Sequence, residues 1–193
     1  MSPHILALDV AGAPHRWIHV RTAAHYYATD MIAWAIGTNE FLLRGGLQRS
    51  TGIQSLIRAS SIIAIKGKDF IVRNFDYVPA LTKEMLLARD RHICAYCARK
   101  FRAEQLDMEH IVPRSKGGED SWMNLVAACK ACNNHKAART PEAAGMKLHY
   151  VPYIPNRYEA FILSNRKILA DQMEFLLQGV PKSSRLHVAP QAT

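Results

Sequence analysis

Cys94-Ala95-Tyr96-Cys97 and Cys129-Lys130-Ala131-Cys132 bracket the segment Asp107-Met108-Glu109-His110-Ile111-Val112-Pro113-Arg114-Ser115-Lys116-Gly117-Gly118, and Asn133-Asn134-His135-Lys136 follows the last cysteine. These residues decide how the 193-residue chain is read. Its only four cysteines form two Cys-x-x-Cys pairs, a spacing suited to a metal rather than to a disulfide framework. Four thiolates match a tetrahedral, structural zinc site formed by Cys94, Cys97, Cys129 and Cys132. Such a site has no open coordination position, so any catalysis must come from other residues.

The segment between the pairs resembles the HNH endonucleases that carry a four-cysteine zinc site. Their signature is an acid-His-Ile/Val-x-Pro-Arg-Ser-x-Gly-Gly run, then an internal Asn, then a Cys-x-x-Cys-Asn/His helix. The resemblance extends from Arg89-Asp90 to Ala144-Gly145-Met146. It implies a ββα-metal module, a β-hairpin followed by a helix, and the residues support each part. Glu109 to Val112 is strand-like, Gly117-Gly118 permits a sharp turn, Leu125 to Ala128 is a second apolar run, and Cys132 to Arg139 suits a helix.

The activity implied is hydrolysis of DNA phosphodiester bonds, leaving 5′-phosphate and 3′-hydroxyl ends. That reaction needs a base to activate water and a divalent cation to neutralise phosphate and leaving-group charge. Imidazole suits the first task, and the base is assigned to His110. The resemblance makes Glu109 a metal ligand, where most of the family carries Asp; Asp107 is the weaker alternative, on the same strand face. It also gives Asn124 the task of fixing the hairpin loop and so orienting His110. The last ligand is Asn133 or His135, which lie about 200° apart on a helix and so do not both face one ion; Asn133 holds the family position. Mg²⁺ is the expected catalytic ion, with Mn²⁺ or Ni²⁺ as substitutes. Lys136, one turn beyond Asn133, is a candidate phosphate contact, as are Arg114, Lys116 and Arg139.

Outward from this module the chain reads as α+β, in three parts. Residues 1–80 form a small N-terminal α+β region, 81–148 the nuclease module, and 149–193 an extended linker, a long helix and a loose tail. In the first part, Ile5 to Val10 and Trp17 to Val20 read as strands, Thr22 caps a helix to about Ile36 with Gly37 as its stop, and Phe41 to Leu43 and Ile62 to Ile65 are further strands. Thr82 begins a helix that ends near the first cysteine pair. Thr140-Pro141-Glu142 starts a short one. Asn156 caps a helix to Gln178, on the order of 33 Å long, with Gly179 as the stop. Its stripe of Phe161, Ile162, Ile168, Leu169, Phe175 and Leu176 packs on the N-terminal region or forms a homodimer; Asn165 and Gln172 interrupt a continuous coiled-coil seam.

Composition narrows the partners. Hydrophobic residues are 49% and charged residues 21%, the balance of a globular chain, and the net charge of +9 favours a polyanion such as nucleic acid. No run approaches the roughly 20 apolar residues that a bilayer needs, and Ile5 to Val10 does not read as a secretory signal, so a cytoplasmic protein with no membrane partner is expected. The expected partner is double-stranded DNA. The rival is a weak or inactive zinc module that binds nucleic acid without cleaving it, with Glu109 marking decay of the metal site.

Overall fold

The computed structural model describes residues 4–67, 77–165 and 167–187. The chain is α+β and divides into two compact units, one made of Met1–Tyr77 with Arg157–Thr193, the other of Val78–Asn156.

The first unit is built on a four-stranded sheet of β1 (His4–Leu8), β2 (Pro14–His19), β3 (Ile32–Leu47) and β4 (Gln54–Ile65), in the order β2-β1-β4-β3. β1 runs parallel to β4 and antiparallel to β2, and β3 runs antiparallel to β4. The unbroken apolar run of β1 follows from burial on both faces. Ile5 and Ala7 join Ile63 beneath α1 (Val20–Ala28), while Leu6 and Leu8 join Ile62 and Ala64 beneath Phe161 and Leu176.

Three expectations need correction here. The helix expected from Thr22 to Ile36 starts at Val20, is capped by His19 and stops at Ala28. Asp30 then turns left-handed (φ 53°), and Ile32, Trp34 and Ile36 continue as a strand. Period-two placement of bulky residues outweighed the alanines that suggested a helix. Gly37 is therefore no helix stop: at φ +112° it sits in a strand irregularity, where a Cβ would lie 2.2 Å from Ser61 Oγ.

The long C-terminal helix is also two helices, α4 (Arg157–Ser164) and α5 (Ala170–Gln178). Gln172 lies in the first turn of the second helix and fixes its start. Fully buried, it accepts from Leu169 N (3.0 Å) and donates to His4 O (2.8 Å) and Ser61 O (2.9 Å), which pins α5 to the sheet. Asp171 beside it accepts from Thr38 N (2.9 Å), Asn39 N (3.0 Å) and Ser61 Oγ (2.6 Å). Phe161 and Leu176 of the stripe are buried against strands of their own unit, with Ile162, Ile168 and Phe175 partly buried beside them. The tail is tied down at its start, where buried Ser184 donates to Glu159; residues 188–193 lie outside the described residues.

The second unit packs α2 (Lys83–Arg89) and α3 (Lys130–Lys136) on the hairpin of β5 (Leu106–His110) and β6 (Leu125–Cys129). Thr82 caps α2 through its side chain, which accepts from Met85 N. Arg89 and Asp90, both fully buried, join the pieces. The guanidinium donates to Trp122 O (2.6 Å), Leu125 O (2.8 Å), Tyr153 O (3.1 Å) and the Asp90 carboxylate, which accepts from Ala127 N (2.8 Å). A buried charge pair persists only when its remaining hydrogen-bonding capacity is also used, and here it is. Thr140-Pro141-Glu142 yields a single 3-10 turn, Glu142–Ala144, closed by left-handed Gly145.

Candidate functional site

The sulfur atoms of Cys94, Cys97, Cys129 and Cys132 all lie within 4.8 Å of one another and form no disulfide. A tetrahedron with ~2.3 Å metal–sulfur arms has edges of about 3.8 Å, so the cluster fits zinc. Cys94 and Cys97 sit on the turn after α2, where Ala98 takes a left-handed conformation and donates to Cys94 O (3.0 Å); Cys129 ends β6 and Cys132 lies in α3. Burial pushes the Cys94 and Cys132 thiols up; it acts on Cys97 too, but hydrogen bonds from Arg99 hold that thiol down to about 7. A cation is what allows four such sulfurs to ionise together.

The hairpin register pairs Glu109 with Val126 and His110 with Leu125, placing these two neighbours on opposite faces of β5. On one face, Glu109 Oε1 accepts from Lys136 Nζ at 2.7 Å; the lysine side chain is fully enclosed and the glutamate 13% exposed. Lys136 therefore does not present its ammonium to solvent, against the expectation of a phosphate contact. Asn133 is half-buried and lies one turn before Lys136, on the side of α3 that meets Glu109. Glu109 and Asn133 are hard oxygen donors that suit Mg²⁺ or Mn²⁺, and Lys136 occupies only one carboxylate oxygen. His135 is exposed elsewhere on the helix, and Asp107 is engaged by Lys83 at 3.2 Å.

On the other face His110, 18% exposed, meets a residue the sequence reading missed: its Nε2 lies 2.7 Å from Asp120 Oδ1. Arg114 Nε approaches both Asp120 Oδ1 (3.1 Å) and His110 Nε2 (3.3 Å). The shorter contact to the carboxylate, which only accepts, requires the proton on Nε2, so the Arg114 hydrogen bond belongs to Asp120. In the neutral form of such a ring the lone pair lies on Nδ1. Hydrogen bonds from His110 and Arg114 hold the Asp120 carboxyl below its ordinary range. An acid two residues past Gly117-Gly118, across the hairpin loop from a histidine, was the available signal.

Asn124 ties this loop together. Its Oδ1 accepts from Val112 N (2.9 Å), and its Nδ2 donates to Val112 O (3.1 Å) and Glu119 O (2.9 Å). Gly118 is required beneath it, since a Cβ there would stand 1.7 Å from Val112 O. Lys116 is exposed in the turn Arg114–Lys116. Arg139 folds back onto the carbonyls of His135 and Lys136 at the end of α3.

Comparison with known proteins places this geometry. Residues 94–149 match the HNH endonuclease family. A stretch of 55 residues is 42% identical to the CRISPR-associated endonuclease Cas9 of Corynebacterium diphtheriae, covering 28% of this chain and 5% of that protein. No described helix is long and apolar enough to cross a membrane. The four-cysteine cluster, the histidine at the end of the first hairpin strand and the asparagine-locked loop all fall within residues 94–149, the segment that matches the HNH endonuclease family.

Proposed function

We propose that the chain is a metal-dependent endonuclease acting on double-stranded DNA, with His110 as general base. The observation that carries the reading is the histidine clamp: Asp120 holds Nε2–H at 2.7 Å, while the loop that carries both Arg114 and Asp120 is fixed by Asn124. A neutral ring so oriented offers Nδ1 to a water, takes its proton as the oxygen attacks phosphorus, and shares the resulting positive charge with Asp120. The P–O3′ bond breaks, giving 5′-phosphate and 3′-hydroxyl ends. Glu109 and Asn133, with Glu109 on the face of β5 opposite His110, would hold a divalent cation that supplies charge neutralisation at the phosphate and the leaving oxygen; Mg²⁺ is expected, and Mn²⁺ or Ni²⁺ should substitute. Arg114 and Lys116 on the hairpin loop, and Arg139 beyond α3, contact flanking phosphates. The zinc held by the four cysteines is structural. The Cas9 relative, a CRISPR-associated endonuclease, agrees with this activity.

Nicking of supercoiled plasmid across a panel of Mg²⁺, Mn²⁺ and Ni²⁺ tests the assignment. His110→Ala should abolish nicking with zinc content and circular dichroism unchanged; full nicking by that variant would overturn it. A second reading, binding without cleavage, is favoured by one observation: the Lys136 ammonium already neutralises Glu109. Duplex binding with no nicking at any metal concentration would establish it.

A further inference from the structure

The four-stranded sheet is four strands wide over only part of its length. β1 pairs with β4 at Ile62–Ala64 alone, so from Ser60 back to Gln54 the described residues give β4 one neighbour, β3. Residues 40–47 and 54–60 therefore continue beyond the sheet as a two-stranded ribbon, closed by a turn in which Gln48 N donates to Ile53 O (2.9 Å). Its two faces differ. Phe41, Leu43, Ile57 and Ala59 are buried or half-buried, and all but Ile57 belong to the core beneath α1. On the other face Leu42 stands opposite Arg58, and Arg44 opposite Leu56. The two leucines are 52% and 57% exposed, and both arginines are exposed.

Charge on this ribbon has one sign. From Phe41 to Ser60 there are three arginines, at 44, 49 and 58, and no Asp or Glu. The nearest acid, Glu40, reaches Arg58 only at 3.8 Å with both side chains exposed, a pair too solvated to hold the guanidinium. Two strands about 4.8 Å apart with their side chains fit the ~12 Å width of a DNA major groove. The outer face is suited to reading it: guanidinium groups pair with guanine edges or phosphates, and leucine packs on thymine methyls. Leu42 and Leu56 each have an arginine directly across the ladder, whereas Leu47, 69% exposed, stands opposite Gln54, and Ile53, 64% exposed, lies at the turn.

We propose that the Phe41–Ser60 ribbon is a second nucleic-acid surface that docks in the major groove of double-stranded DNA. It lies in the other unit from the nuclease module and needs no cleavage to operate, although the choice of DNA rests on the nuclease reading. The test uses the full chain carrying His110→Ala, with binding to a fluorescein-labelled 20-base-pair duplex followed by anisotropy over a salt series. Arg44→Gln, Arg49→Gln and Arg58→Gln together, all at exposed positions, should weaken binding roughly tenfold or more and reduce the salt slope by about 2–3, at ~0.9 per lost phosphate contact. In the His110-containing chain, the same triple change should raise KM for nicking and leave kcat unaltered. A folded triple variant with unchanged affinity and slope overturns the proposal. So does loss of self-association, or of binding to vesicles containing phosphatidylserine, with duplex affinity intact. If the parent chain never nicks but the triple variant loses duplex affinity, the nuclease reading fails and this one stands.

Discussion

Replacing Lys136 with Met keeps most of the side-chain volume and removes the charge that faces Glu109. The ammonium is fully enclosed, the carboxylate is 13% exposed, and they meet at 2.7 Å, so the variant strands a mostly buried anion. Breaking one side of such a pair costs about 3–5 kcal/mol, whereas exchanging both sides for apolar residues is close to neutral. In a unit the size of Val78–Asn156, where each kcal/mol moves Tm by ~4–8 °C, Lys136→Met should lower that unit's transition by about 10–40 °C. Glu109→Leu/Lys136→Met should recover to within about 1–2 kcal/mol of the parent. The measurement is urea unfolding and calorimetry on the zinc-loaded full chain, completed as a double-mutant cycle. A loss below about 1 kcal/mol for Lys136→Met, or a double variant no more stable than the single, refutes the reasoning. Manganese extends the test: a carboxylate freed from its lysine should bind the ion more tightly, restoring ~2.7 kcal/mol at a hundredfold excess over Kd. No restoration would remove Glu109 from the set of cation ligands.

Asp120→Asn should release the His110 tautomer, read as a change in the ¹⁵N shifts of the ring nitrogens together with a fall in kcat at unchanged KM; unaltered ring shifts would make Asp120 a bystander. Burial pushes the Asp171 carboxyl up, but hydrogen bonds from Ser61, Asn39 and Gln172 outweigh it and hold it low. Its contribution to stability is therefore present above the ordinary carboxylate pKa near ~3.9 and fades as pH falls through the depressed value. Asp171→Asn should cost about 1.5–3 kcal/mol at neutral pH and flatten the acid limb of the stability profile, whereas an unchanged acid limb would show the carboxylate is not so held. Removing the bound metal with a chelator, or Cys132→Ser, should unfold Val78–Asn156 while the β1–β4 sheet keeps its circular dichroism signal. Metal analysis should find one zinc per chain in the parent, and a chelated protein with an unchanged melting profile would contradict a structural role.

Much of the nuclease module was legible because its constraints are local. Two Cys-x-x-Cys pairs, a Gly-Gly turn and a cap at Thr82 each leave a short-range imprint, and the structure brings the four sulfurs within 4.8 Å; the strand read at Glu109 to Val112 instead ends at His110. The α+β class was legible for the same reason. Asp120 left only a faint signal, an acid just past the Gly-Gly turn, because its role depends on the hairpin loop bringing it to His110. The fate of Lys136 was hidden too, since a lysine one turn from Asn133 reads as exposed until the face of α3 that packs on β5 is known.

Sequence alone thus determined the clustering of the cysteines, the hairpin-helix module and the mixed class of the fold, since spacing, turn residues and periodicity act within a few residues. Tertiary structure decided where Ile32 to Ile36 would go, that the C-terminal helix forms as α4 and α5, and which partner each charge of the site would take. Those outcomes depend on burial: a run such as Ile5–Leu8 is covered on both faces only once α1, α4 and α5 have docked, and Gln172, in the first turn of α5, is held to the sheet because His4 and Ser61 present carbonyls to it.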